Sequence, residues 1–175
     1  MQTSSNKLIV LRGNSGSGKS TVAQQLRKFT DRKVAWIEQD YIRRKILKEK
    51  EADDGIRIAL ISEIVTFTIT HGYDVILEGI LSFSIYGTML KEIRELCPEH
   101  YFFYFDIPFE ETLKRHETKP NTNEFGKKEM EEWFKPHDIT GFPREIIISD
   151  KLSLDATVQL IAETTGLTPL SERIE

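Results

Sequence analysis

The 175-residue sequence has a single cysteine, so no disulfide can form within the chain and nothing points to an oxidising compartment. No apolar run approaches the ~20 residues that would span a bilayer. The opening residues, MQTSSNK, hold no apolar stretch of the kind that directs secretion. Positive charge is not in excess. The 24 Lys and Arg stand against 28 Asp and Glu, a net charge of −4, which leaves no basic footprint for duplex nucleic acid. His71, His100, His116 and His137 lack the spacing of metal ligands. There is no internal repeat and no low-complexity tract. What remains is expected to be a soluble, cytoplasmic, reduced protein. Its length fits one domain spanning residues 1–175, since domains usually run to ~100–200 residues.

Apolar runs of strand length alternate with helical segments. Strands are predicted at 7–12 (KLIVLR), 34–37 (VAWI), 75–77 (VIL), 101–107 (YFFYFDI) and 145–149 (EIIIS). Helices are predicted over 20–29, 41–50, from Asp53 or Asp54 to about Thr70, 84–96, after Pro108, and 153–164. The strands are near-continuous apolar runs, which means that both faces are covered, as in a parallel sheet between two helix layers. The expected class is therefore α/β.

Between the first strand and its helix lies Gly13-Asn14-Ser15-Gly16-Ser17-Gly18-Lys19-Ser20, followed by Thr21. It matches G-x-x-x-x-G-K-[ST] at every fixed position. Gly13 and Gly18 permit backbone angles that a side chain forbids, and Gly16 lets the loop lie close to a ligand. The loop's N–H groups and the helix N-terminus suit polyphosphate. Lys19 reaches the outer phosphates, and the Ser20 hydroxyl is a hard oxygen ligand for Mg²⁺. Nucleotide binding is thus predicted over residues 13–21. No N-K-x-D guanine motif and no LSGGQ-type signature occurs, and the chain is short for an oligomeric motor, which lowers the switch and motor readings without excluding them.

In an open parallel sheet, ligands bind outside the carboxyl ends of the strands. The second strand ends in Glu38-Gln39-Asp40, with Arg43 three residues on. A carboxylate beside the γ-phosphate can take the proton of an attacking hydroxyl, so Asp40 is a candidate base. It could equally cap the helix that starts there. Arg43 suits an anionic or hydroxyl-rich acceptor, or is a solvated charge. Glu78 ends the third strand and is a candidate for substrate contact or for the magnesium shell.

The stretches LIVLRGNSGSGKST, EQDYIRR, VILEG and LKRH before a polar insertion resemble the P-loop kinases of small molecules and nucleic-acid ends. That group includes chloramphenicol phosphotransferase, polynucleotide kinase and zeta toxin. The resemblance implies a three-layer P-loop NTPase fold with five parallel strands in the order 2-3-1-4-5. It implies ATP and Mg²⁺ as cofactors and transfer of the γ-phosphoryl group to a hydroxyl of a small-molecule acceptor. Carried over residue by residue, Asp40 is the base and Arg43 the acceptor-binding arginine. Arg115 stands at the lid entrance, where it stabilises the transferring phosphoryl. The sequence departs from the pattern in two places. Glu78-Gly79 stands where nucleotide kinases have Asp-Gly, and Arg144 is the only other lid arginine.

Residues 117–144 hold three of the six prolines and break the β-α rhythm. They are expected to form a lid, the alternative being a surface loop with a short helix at 127–134. Arg115, Lys119, Lys127, Lys128 and Arg144 are the cations around it, although Arg115 could instead pair with Glu111. Trp133, Phe134 and His137 could roof an acceptor pocket or seal the loop onto the core. By analogy of fold, the loop 150–152 would hold the nucleotide base. Two other readings stay open. One is a nucleotide-binding regulatory module whose 117–144 segment docks a partner. The other is a nucleic-acid 5′-end kinase.

Overall fold

The computed structural model describes residues 6–50, 55–118 and 126–170. Five strands, β1 (Lys7–Gly13), β2 (Val34–Glu38), β3 (Asp74–Gly79), β4 (Glu99–Asp106) and β5 (Ile146–Ser149), form one sheet. Every pairing is parallel and the order is β2-β3-β1-β4-β5, as the resemblance implied. The helices are α1 (Lys19–Phe29), α2 (Gln39–Tyr41), α3 (Arg57–Thr70), α4 (Phe83–Leu96), α5 (Phe109–Glu117), α6 (Lys127–Trp133) and α7 (Leu154–Thr165).

β1 is buried along its whole length. Successive side chains of a strand point to opposite faces. Leu8 and Val10 enter a core with Ile61, Val65, Leu90 and Ile93 of α3 and α4. Ile9 and Leu11 enter a second core with Val22, Leu26, Val158 and Ile161 of α1 and α7. The continuous apolar run is thus the signature of burial on two sides.

The segment after β2 differs from the long helix expected over 41–50. α2 starts earlier, at Gln39, and runs directly into a π-helical turn, Ile42–Ile46. Such wide turns recur at functional sites. α3 starts at Arg57 with Ile56 at its N-cap. The expected caps Asp53 and Asp54, and Lys119 of the insertion, lie outside the described residues.

Candidate active site

The phosphate loop leaves the carboxyl end of β1 and turns into α1. α1 has no side-chain cap and no acidic residue in its first turn. Its first N–H groups and its positive end therefore suit an anion. Lys19 is buried, and its ammonium donates to the Asn14 carbonyl (2.8 Å) and to Ser17 Oγ (3.1 Å) inside the loop.

Gly16 does more than bring the loop near a ligand. Its φ is +78°, and a Cβ there would lie 2.4 Å from the Thr112 carbonyl oxygen of α5. The loop is docked on that helix. Gly16→Ala is expected to cost at least about 2 kcal/mol, from ~1–2 for the left-handed backbone and ~1–3 for overpacking. Urea denaturation checks this, and a cost under about 0.5 kcal/mol would mean that the loop and α5 part easily.

Arg115, on α5, makes the expected pair with Glu111 and also reaches the phosphate loop. Nε donates to Glu111 (2.8 Å) and Nη1 to the Ser17 carbonyl (3.1 Å), so the helix pair aims the guanidinium at the loop. Beside it lies a cavity of about 520 Å³ lined by Gly18, Thr21, Arg115 and the loop Asp150-Lys151-Leu152.

On the other side of the loop a larger cavity, about 620 Å³, is lined by Ser15, Lys19, Ser20, Glu38, Asp40, Arg43, Glu78 and Lys135, among others. It brings together the expected Lys19, Ser20, Asp40, Arg43 and Glu78. Asp40 sits in the first turn of α2, whose N-cap is Glu38, so the capping alternative for Asp40 is not what the fold uses. Its Oδ1 accepts from Arg43 Nη2 and Arg44 Nε, each at 2.8 Å.

Ser20 Oγ donates to Glu78 Oε1 at 2.7 Å. Glu38, which sequence reasoning did not single out, pairs in register with Glu78 on the neighbouring strand. Its carboxyl is raised above the ordinary range, first by burial and then by the charges of Glu78 and Asp40. Ser20, Glu78 and Glu38 are hard oxygen donors that fit Mg²⁺. Among the described residues no three His, Cys, Asp or Glu form a metal-binding group. A magnesium ion here would take its other ligands from phosphate oxygens and water, as this ion usually does.

The second half of the insertion is pinned rather than loose. Arg12, wholly buried at the end of β1, donates to Asp138 Oδ2, Glu145 Oε1 and the Leu81 carbonyl, each at 3.0 Å. Asn14 of the phosphate loop exchanges two bonds with the Lys135 backbone: Nδ2 donates to its carbonyl (2.8 Å) and Oδ1 accepts its N–H (2.9 Å). Residues 134–145 thus form a strap across the carboxyl edge of the sheet. The expected short helix is present as α6.

The expected aromatic roof divides. Trp133 lines the larger cavity, with the Arg44 guanidinium 5.8 Å above its ring, whereas Phe134 packs edge-on against Phe109. His137 Nδ1 lies 2.7 Å from Asp106 Oδ2. Lys127, Lys128 and Arg144 are exposed and line neither of these two cavities, so the structure does not bring them to the site. No described helix is long and apolar enough to cross a membrane.

A loop of this form between β1 and α1, in a sheet of this order, defines a P-loop nucleotide-binding protein with the fold of the P-loop kinases. The chain belongs to the AAA domain family, which matches residues 8–136. Three solved structures are similar in fold. The adenosine phosphosulfate (APS) kinase of Mycobacterium tuberculosis is 16% identical, with 91% of this chain and 96% of that chain covered and a TM-score of 0.65. The tunicamycin resistance protein of Deinococcus radiodurans is 18% identical, with 94% and 98% covered and a TM-score of 0.67. A gluconokinase from Sinorhizobium meliloti is 18% identical, with 91% of each chain covered and a TM-score of 0.59. No curated protein matches the chain significantly.

Proposed function

We propose that the protein is an ATP-dependent kinase that transfers the γ-phosphoryl group to a hydroxyl of a small molecule. The observation that carries this is the pair of cavities meeting at the phosphate loop, one beside loop 150–152 and one holding Asp40. A nucleotide with its base in the first would present its outer phosphate to the second. A cavity of about 620 Å³ has the volume of a small-molecule site and favours an acceptor over a purely regulatory nucleotide module.

In this reading the acceptor oxygen forms a bond to the γ-phosphorus as the bond to the ADP oxygen breaks, and Asp40 takes the hydroxyl proton. Arg43 orients the Asp40 carboxylate and the acceptor. Lys19 and Arg115 face the charge on the phosphoryl oxygens. Ser20 and Glu78 would hold Mg²⁺, with Glu38 beside them, and that ion supplies charge neutralisation at the phosphates. Glu132, Trp133 and Lys135 of the insertion wall the acceptor cavity and help to exclude water from it.

The test is a screen of hydroxyl-bearing metabolites with γ-labelled ATP and Mg²⁺. Label is expected on at least one acceptor, at a rate well above hydrolysis. ATP binding without transfer to any of them, together with capture of a protein partner only in the ATP state, would replace the kinase with the regulatory module. Transfer only to nucleic-acid ends, with steep salt dependence, would favour the end-kinase reading.

A further inference from the structure

Lys135 is an exposed lysine that is not free to swing. Its N–H donates to Asn14 Oδ1 (2.9 Å), and its carbonyl accepts from Asn14 Nδ2 (2.8 Å) and from the Tyr104 hydroxyl (3.2 Å). Its ammonium donates to Ser82 Oγ (2.9 Å) and Ser84 Oγ (3.2 Å), which lie 3.0 Å from each other. No carboxylate of the described residues lies within ion-pair distance of it. Lys135 and Ser82 both line the larger cavity, as do Asp40, Tyr41 and Ile85.

Ser82 is the N-cap residue of α4, yet its hydroxyl makes no capping bond. Asp138 of the strap caps in its place, accepting from the Phe83 N–H at 3.0 Å. Asp138 is itself paired with Arg12, so its charge is answered there. The exchange releases the Ser82 hydroxyl toward Lys135. An ammonium has three donors and each hydroxyl one. Two ammonium donors serve the serines, and one hydroxyl serves the other. One N–H and one O–H are left, together with an uncompensated positive charge.

We infer that Lys135, Ser82 and Ser84 form an anion-receiving subsite, and that the acceptor carries a carboxylate or a phosphate ester besides the hydroxyl that is phosphorylated. Naming the occupant an acceptor rests on the kinase reading above; the anion preference does not. The donor set suits two oxygens of one anionic group. Holding the lysine in place beforehand removes ordering cost from binding.

The test uses the full chain saturated with a non-hydrolysable ATP analogue and Mg²⁺, so that the phosphate loop is already filled. Calorimetry then compares matched pairs: gluconate against glucitol, glucose 6-phosphate against glucose, and adenosine 3′-phosphate against adenosine. The first pair isolates a carboxylate and the other two a phosphate ester. At least one anionic member is expected to bind tenfold or more tightly than its neutral partner. Lys135→Gln should erase that preference while leaving the analogue's affinity within about twofold, and Lys135→Arg should keep it. Equal binding within all three pairs, or a preference that survives Lys135→Gln, overturns the subsite. Selective anion binding with no transfer from ATP to these members or to any acceptor in the wider screen would remove the kinase reading and leave the subsite standing. Transfer to neutral and anionic members at equal kcat/KM would do the reverse.

Discussion

Replacing Arg12 by methionine is expected to lower the unfolding free energy by about 3–5 kcal/mol, the usual cost of removing one partner from a buried ionic network. The Arg12 side chain is wholly buried, Glu145 is 4% exposed and Asp138 20%. Methionine fills most of the volume but leaves both carboxylates without their cation. The Leu81 carbonyl also loses its donor. Glu145 keeps only its bonds from the Thr140 amide and hydroxyl. Urea denaturation measures the loss. A triple variant, R12M/D138N/E145Q, removes all three charges and is expected to recover part of it, because the buried charge left behind is the expensive part. If Arg12→Met alone stays within about 1 kcal/mol of the parent, the network is not what holds the strap.

Asp40→Asn is expected to lower kcat by about 10²–10⁴, the usual worth of a positioned general base, while ATP affinity stays within about twofold. The substitution is nearly isosteric. The remaining carbonyl oxygen can still accept from Arg43 and Arg44, so their placement survives. What is lost is the capacity to take a proton. Since Asp40 lines the larger cavity and lies outside the phosphate loop, nucleotide binding should not follow. An unchanged kcat with a raised acceptor KM would make Asp40 a binding residue only. An unchanged kcat/KM would remove it from the reaction.

The sheet was legible because it depends on runs of neighbouring residues. KLIVLR and VIL are apolar without interruption, and two-sided burial is the physical reason. The phosphate loop was legible because its geometry demands particular residues at fixed spacing. The order 2-3-1-4-5 came by resemblance, since strand length and hydrophobicity do not rank neighbours. Glu38 was not legible. It lies beside Glu78 only through the pairing of β2 with β3, and a slip of one residue would turn it to the other face. Arg12 reads as the polar end of a strand. Its burial depends on Asp138 and Glu145, 126 and 133 positions away in the chain. Lys135 is one of many lysines until Asn14 clamps its backbone. The π-helical turn after α2 was missed because the charged run 41–50 has helical periodicity and carries no mark of a widened turn.

Asn14 belongs to the phosphate loop and also clamps the backbone of Lys135, a residue that lines the larger cavity. A side chain that ties a binding loop to the wall of a neighbouring cavity would link their occupancies thermodynamically. Whatever free energy one ligand gains or loses by displacing Asn14 appears in the affinity for the second, and the same amount is returned in the opposite order of addition. In the kinase reading, this one amide would couple the two affinities equally, whichever ligand bound first.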